Sequence, residues 1–372
     1  MIEEIHDKSM MARKYIRRGG RRIPVKKISV IVPCHNVAKY LERCMERIIN
    51  QSIGMEEIEL ILIDDASTDN GATLQVLMDY ERRFPDTVML IPLEQNMRQG
   101  GARNIGISYA GGEYLMFCDA DDWLAYRAME ILYHVAKEYD ADVVEYRYKT
   151  VTDTKESGEL IEQGNGSYYR EMDNEDVKRK LLVEYSSNFS LGCMRKLYRT
   201  SLIKDNAISF AEHLICEEPS FTVPVRLYEK KHVFLDAELY YYLQRSDSTT
   251  HSKWDDRKWD HVKVWLLLMD DLKRRGFMDI YHDELECMMY DWGWVLSVRM
   301  MVQKGYAMTL EELRFLKQTV LQMFPTVLYN PYVMKREEKS DDIMKFLLRT
   351  ELTEKIVQEM NQTLAISGEI LS

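Results

Sequence analysis

The sequence predicts an α/β fold, a mostly parallel sheet flanked by helices, with a helical region at the C-terminus. Two observations carry this. Short apolar runs alternate with helical spacing over residues 28–148, and after Trp254 apolar residues recur at three and four positions. At 372 residues the chain has room for two domains, or for one α/β domain with a helical annex.

The elements follow in order. Ile28–Val32 (ISVIV) reads as a strand and Val37–Gln51 as a helix; Leu60–Ile63 (LILI) is a strand and Ala72–Arg83 a helix. Val88–Pro92 is a strand, Gly101–Tyr109 a short helix, Tyr114–Cys118 a strand, Arg127–Tyr139 a helix and Asp142–Tyr148 a further strand. Helices are predicted over Trp254–Arg274, Tyr281–Met301, Leu310–Met323 and Asp341–Met360. Met288, Met289, Tyr290, Trp292 and Trp294 fall at core spacing, although an acceptor groove or a dimer surface uses the same residue types.

Composition narrows the class. With 46% hydrophobic and 30% charged residues the chain reads as a soluble globular protein, and a net charge of −11 argues against a general nucleic-acid binder. The six cysteines form no CxxC pair, which suggests a reduced cytoplasmic protein without structural zinc. No run approaches membrane-spanning length, and the N-terminus lacks the apolar core of a signal peptide. Residues 1–26 stand apart as a basic leader, since Arg13–Lys27 holds eight Lys or Arg and no acid. It is either a solvated segment or a patch for peripheral contact with the inner face of an anionic membrane, where each Lys or Arg adds about 1 kcal/mol.

Each strand of the first half ends in polar residues: Pro33-Cys34-His35-Asn36, then Asp64–Asp69, then Asn96 with Gly100–Asn104, then Asp119-Ala120-Asp121-Asp122. In open α/β sheets, ligands gather at carboxyl strand ends, so this pattern predicts a nucleotide site. The stretch YLMFCDADDWL packs three carboxylates into four positions, which would repel unless a cation joined them. Mg²⁺ or Mn²⁺ bridging to a phosphate suits such an oxygen-rich set. The alternative is an acidic loop in which Asp122 caps the next helix. There is no GxGxxG after the first strand, no GxxxxGK[ST], and no glycine-rich nucleotidyltransferase loop. Without such glycines the diphosphate charge falls to the metal and to side chains such as Arg103.

SVIVPCHNVAKYLERCMERIINQS, LILIDDASTDN and ARNIGISYAGGEYLMFCDADDWL together resemble the nucleotide-binding half of family 2 glycosyltransferases with the GT-A fold. The resemblance is close over about 27–125 and continues to about 251 through LGCMRKLYRTSLIKDNAISFAEHLICEEPSF and YYYLQRSDSTTHS. It implies a GT-A domain over 27–251, with a nucleotide-binding half at 27–125 and an acceptor half at 126–251, and a helical region at 252–372.

By that resemblance Pro33 and Asn36 lie along the nucleoside, with His35 lining the pocket. Asp65 accepts the uracil N–H, Asp119 contacts the ribose, and Asp121 ligates the metal. The catalytic base falls at Glu218 in Cys216-Glu217-Glu218-Pro219, where the family commonly has Asp; Glu217 is the substitute, and a surface role for both acids at a helix start remains open. Arg245 is a candidate phosphate clamp, and His251 is either a metal ligand or an exposed loop residue. Arg98 stands where many relatives have glycine. The resemblance thus implies an inverting, metal-dependent transfer of a sugar from a nucleotide-sugar donor, a UDP-sugar, to a hydroxyl of a glycan or lipid-linked acceptor in surface-polysaccharide synthesis. A catalytically idle nucleotide-binding scaffold subunit and a sugar nucleotidyltransferase are the alternatives.

Overall fold

The apolar run at 28–34, broken only by Ser29, reflects a strand covered on both faces: every residue of β1 (Ile28–Cys34) is buried. The computed structural model describes residues 25–152, 167–171, 175–183, 191–244, 256–335 and 339–366. These divide into two compact units.

In the first unit β1 pairs in parallel with β2 (Ile58–Asp64) and with β4 (Tyr114–Phe117), and β3 (Val88–Pro92) pairs in parallel with β2. Beyond β4 the sheet is mixed. β8 (Lys196–Arg199) runs antiparallel to β4 and to β6 (Val143–Val151), β9 (Lys231–Leu243) runs parallel to β6, and β5 (Trp123–Leu124) and β7 (Ser167–Glu171) are antiparallel to β9. The strand order is β3-β2-β1-β4-β8-β6-β9-β5, with β7 also on β9. Between two antiparallel pairings, β6 regains the direction of β1 and β4, so all their carboxyl ends point to one edge.

The connecting helices are α1 (Ala38–Ile49), α2 (Ala72–Arg83), α3 (Arg98–Tyr109) and α4 (Ala128–Glu138). α3 starts three residues earlier than expected, at Arg98, whose φ of +63° lies in the left-handed region that favours glycine. α3 packs closely on β1 because it carries Gly106, where a Cβ would stand 2.3 Å from Ile31 Cγ2.

The second unit contains 172–192, 214–227 and the chain from Arg245 onward. Segments 172–192 and 214–227, placed before residue 251 with the acceptor half in the sequence reading, therefore group with the C-terminal helices. Three expected helices differ in form. Trp254–Arg274 resolves, in its described part, into a short 3₁₀ turn and a helix at Asp260–Arg274. Tyr281–Met301 becomes His282–Met288, a π-helical stretch at Met289–Leu296, and Ser297–Gln303. Gly293 lies inside that wide turn, where a Cβ would come within 2.4 Å of Met289 Sδ. Asp341–Met360 is two helices, Lys339–Arg349 and Glu354–Ile366. The break is held from the neighbouring helix Leu310–Met323: Lys317 Nζ donates to the Leu347 and Thr350 carbonyls at 2.9 and 2.6 Å, and Arg314 donates to Leu352 O at 2.8 Å. Those bonds satisfy carbonyls that a continuous helix would have used itself.

No helix among the described residues is long and apolar enough to cross a membrane, and all six cysteines are free thiols. Most of the basic leader lies outside the described residues.

A buried chain of hydrogen bonds ties the π-helical stretch to Asp260–Arg274. Trp265 Nε1 donates to His261 Nε2 at 3.3 Å, His261 Nδ1–H donates to Ser297 Oγ at 2.7 Å, and Ser297 donates to Trp292 O at 3.2 Å. Burial pushes the His261 pKa down to about 4. Its folded value lies below that of the unfolded chain, so its stabilisation is complete above about pH 6.5 and is lost as pH falls through 4. The full loss is on the order of 3 kcal/mol. Thermal unfolding followed from pH 7 to pH 4 should show the melting temperature falling across this window, and His261→Gln should be less stable at pH 7 but flatter. An unchanged slope in His261→Gln would assign the acid sensitivity to other groups.

Candidate active site

The carboxyl ends of β1 and β2 are clasped to each other. Asn36 sits at φ +55°, and its side chain accepts from Thr68 N at 2.7 Å and donates to Thr68 Oγ1 at 3.1 Å. Its backbone N–H donates to Ser67 Oγ at 3.1 Å. His35 Nδ1 lies 2.8 Å from Asp65 O, and Asn36 Nδ2 lies 3.1 Å from His35 Nε2. Both contacts are satisfied only by the tautomer with hydrogen on Nδ1. Pro33 is tolerated inside β1 because β1–β4 pairing ends at Ile31↔Phe117, so its missing N–H falls past that ladder.

Asp65 is buried at 3% exposure, and its Oδ1 accepts from Met97 N at 2.6 Å. Burial outweighs that bond and raises its pKa. Asp65 thereby holds the entry to α3, where Asn96 Oδ1 accepts from Arg98 N at 3.1 Å. Beneath these loops Thr73 is fully buried. It donates to Asp69 Oδ2 at 2.6 Å and accepts from Val37 N and Ala38 N at 2.9 and 3.1 Å. Those amides open α1, so a residue of α2 supplies the cap that α1 lacks in its own sequence.

β4 delivers the acidic turn. Arg103, from α3, donates to Asp119 Oδ1 at 2.9 Å. Arg103 is only 1% exposed and its guanidinium lies 5.4 Å from the Phe210 ring, so the residue expected to meet a diphosphate is instead buried and committed to Asp119. Asp122 is also buried, accepting from Tyr240 Oη at 2.7 Å and from Leu243 N at 2.8 Å. It does not cap a helix: it ties the turn to β9. Tyr240 Oη also accepts from Asp119 N at 3.1 Å. Burial, then the charges of Asp119 and Asp121, push the Asp122 pKa up to about 9. Asp121 is half-buried between them.

This excess of negative charge tests the expected metal. The donor set is hard carboxylate oxygen, and the cost of ionising Asp122 next to two acids is what a bound cation would relieve. Carboxylate oxygens of this kind suit Mg²⁺ or Mn²⁺, but the three acids do not converge into one ligand cluster: Asp119 is held by Arg103, and Asp122 by Tyr240 and the Leu243 amide.

In the second unit Glu217 is buried and Glu218, the first residue of the helix Glu218–Tyr228, is half-buried. Ser220 donates to Glu217 O, and Thr222 Oγ1 to Glu218 O at 3.0 Å. Burial and then Glu217, Glu218 and Asp260 push the Cys216 thiol up to about 12, which marks another locally acidic pocket of side chains. Arg245 and His251 lie outside the described residues.

The model of Glycosyl transferase family 2 matches residues 29–202, a range that contains every element of the clasped edge and the acidic turn. The Streptococcus pneumoniae glycosyltransferase GlyG is 30% identical over 231 residues, which cover 61% of this chain and 74% of GlyG. The chain belongs to glycosyltransferase family 2. It is also 31% identical over 223 residues, 59% of its length, to the poly(ribitol-phosphate) beta-glucosyltransferase of Bacillus spizizenii, of which the match spans 33%. The structure of Staphylococcus aureus TarS 1–349 in complex with UDP-GlcNAc superposes with a TM-score of 0.63 at 24% identity, over 92% of this chain and 91% of that one. That likeness speaks for the fold, which is GT-A.

Within this family 2 domain the structure brings Pro33, His35, Asn36, Asp65, Arg103, Asp119 and Asp121 to one sheet edge. Sequence reasoning missed Thr73 and Tyr240. Thr73 serves a helix 35 and 36 residues upstream, which no local pattern signals. Tyr240 lay within the closing YYYLQR segment, but its target is 118 residues away. Thr73→Val should strand two helix N–H groups and remove the hydroxyl donor from Asp69, which keeps the backbone N–H of residue 73, lowering stability by about 1–3 kcal/mol. Urea unfolding would report this as a lower midpoint, with Thr73→Ser close to the parent; an unaltered midpoint in Thr73→Val would sink the cap assignment.

Proposed function

We propose that the protein is an inverting, metal-dependent glycosyltransferase that moves a sugar from a UDP-sugar to a hydroxyl of a surface-glycan or teichoic-type acceptor. The observation that carries the reading is the acidic turn Asp119–Asp122, set on the same sheet edge as Asp65 in a family 2 domain. The name of the Bacillus spizizenii relative supports the acceptor setting.

The base would lie against the β1–β2 clasp, beside Pro33 and Asn36, with the Asp65 carboxylate accepting its N–H. Asp119, fixed by Arg103, would accept from a ribose hydroxyl. Asp121 would hold Mg²⁺ or Mn²⁺, which when bound offsets the charge of the diphosphate leaving group. Glu218 would take the proton of the acceptor hydroxyl as its oxygen forms a bond to the anomeric carbon and the bond to the diphosphate breaks. One displacement with one base inverts the anomeric centre. Glu218 is favoured over Glu217 because it is the more exposed of the two.

Thermal stabilisation by UDP, GDP, CMP, TDP and ADP, each with Mn²⁺ or EDTA, tests the donor side. UDP with Mn²⁺ at a hundredfold excess over Kd should add about 2.7 kcal/mol, and Asp121→Ala should abolish the effect. Glu218→Gln should keep the nucleotide effect yet lower kcat about 10²–10⁴-fold in UDP-sugar turnover. If no nucleotide stabilises the protein, with or without metal, the donor site is refuted. Full turnover in Glu218→Gln would return the base to Glu217 or elsewhere.

A further inference from the structure

We propose that Arg195, Tyr148 and Tyr242 form an acceptor subsite on the first unit that takes a phosphate-bearing polyol or glycan. The proposal rests on the glycosyltransferase reading and names the class of its acceptor.

Where β6 pairs with β9 the register shifts twice between Tyr146 and Tyr148, with the extra residues on β9, and Arg147 and Tyr148 of β6 are both exposed there. Tyr148, 41% exposed, meets Tyr242 edge-on, with ring centroids 6.0 Å apart at 89°. Arg195, which leads into β8, places its guanidinium carbon 4.6 Å from the centroid of Tyr148. Tyr242 lies two residues after Tyr240 on β9 and so shares its face. Tyr240 is the residue whose hydroxyl touches Asp122 and the Asp119 N–H. Two residues of strand span about 7 Å, so the cluster begins one pleat from the acidic turn.

Charge and shape agree on the ligand class. Arg147 is neutralised by Asp236 at 2.7 Å, whereas among the described residues no carboxylate pairs with Arg195. In a chain of net charge −11, Arg195 is thus a half-buried cation set against an exposed ring, with no carboxylate partner among the described residues. A guanidinium laid over a ring keeps its in-plane N–H groups for a phosphate, which it binds through two parallel hydrogen bonds. The negative face of an exposed tyrosine ring attracts the partly positive C–H groups of a polyol or sugar. A ring and a fork side by side match a chain in which polyol and phosphate alternate.

The test is calorimetric binding of a ribitol-phosphate oligomer, compared with an uncharged maltooligosaccharide of similar length, followed by kinetics with UDP-glucose and UDP-N-acetylglucosamine. The expected result is binding of the phosphate oligomer and not of the neutral one. Arg195→Ala and Tyr148→Ala should each weaken it about tenfold or more, as a rise in KM larger than the fall in kcat. Tyr148→Phe, which keeps the ring, should restore binding. If Arg195→Ala fails to fold, Arg195→Lys, which keeps the charge without the fork, should shift affinity in the same direction. Equal binding of the two oligomers, or unchanged affinity in folded Arg195 and Tyr148 variants, overturns the subsite. Stabilisation by UDP with Mn²⁺ is read separately, so a lost donor site and a misplaced acceptor site give different results.

Discussion

Three carboxylates in four residues set the central constraint on the first unit, because a turn so charged has to be stabilised from outside. Each acid is answered differently. Asp119 receives a buried guanidinium from α3. Asp122 is driven toward its protonated form and held by Tyr240 and the Leu243 amide of β9. Asp121 is half-buried beside them, and in the proposed function it is the acid that would hold a cation. The turn therefore needs α3, β4 and β9 in place at once, which couples the sheet's middle to its far end.

The rest of the edge is organised to keep that turn and the loops after β1 and β2 in register. Asn36, Ala66 and Arg98 all occupy positive φ, and all lie just past a strand end or at the start of a helix. Non-glycine residues rarely adopt that conformation, at a cost of order 1–3 kcal/mol each, and persist only where neighbours over-determine them. Here the neighbours are identifiable. Asn36 is held by Thr68 and Ser67, and the Arg98 amide by Asn96 next to the Asp65–Met97 bond. Strain at this edge and rigid support from the strands below are two sides of one arrangement.

Much of this was legible in the sequence because it is local. β1 is apolar but for Ser29 and buried throughout, and the polar residues at its end and at those of β2 and β4 converge as their order along the chain implies. What escaped is what depends on distant partners. Arg103 looked like a phosphate ligand because a basic residue beside a predicted nucleotide loop is usually exposed; α3 turns it inward onto Asp119. The alternative of a helix cap at Asp122 stood open because an acid ahead of a helix commonly is one, yet β9 returns beside it and supplies the donors. The single helix expected at 341–360 is divided because Lys317 and Arg314, on another helix, take up the carbonyls at the break.

β9 shows how one short stretch serves several ends. Tyr240, Tyr241 and Tyr242 are consecutive, so the two-residue period of a strand sends the middle ring to the opposite face. Tyr241 stacks on Trp123 at 5.5 Å and 10°, and Arg43 of α1 lies 4.5 Å from that indole. That face thus joins the turn to the helix layer. Tyr240, on the other face, reads the turn through Asp122, and Tyr242 carries the same face outward to Tyr148 and Arg195. A one-residue slip of β9 would exchange these roles, removing the hydroxyl from Asp122 and the ring from Tyr148 together. Its pairing with β5, with Trp123 opposite Tyr241 and Leu124 opposite Tyr240, lies immediately after the acidic motif and opposes such a slip. The register that positions the charged turn is therefore also the register that sets Tyr242 against the exposed Tyr148.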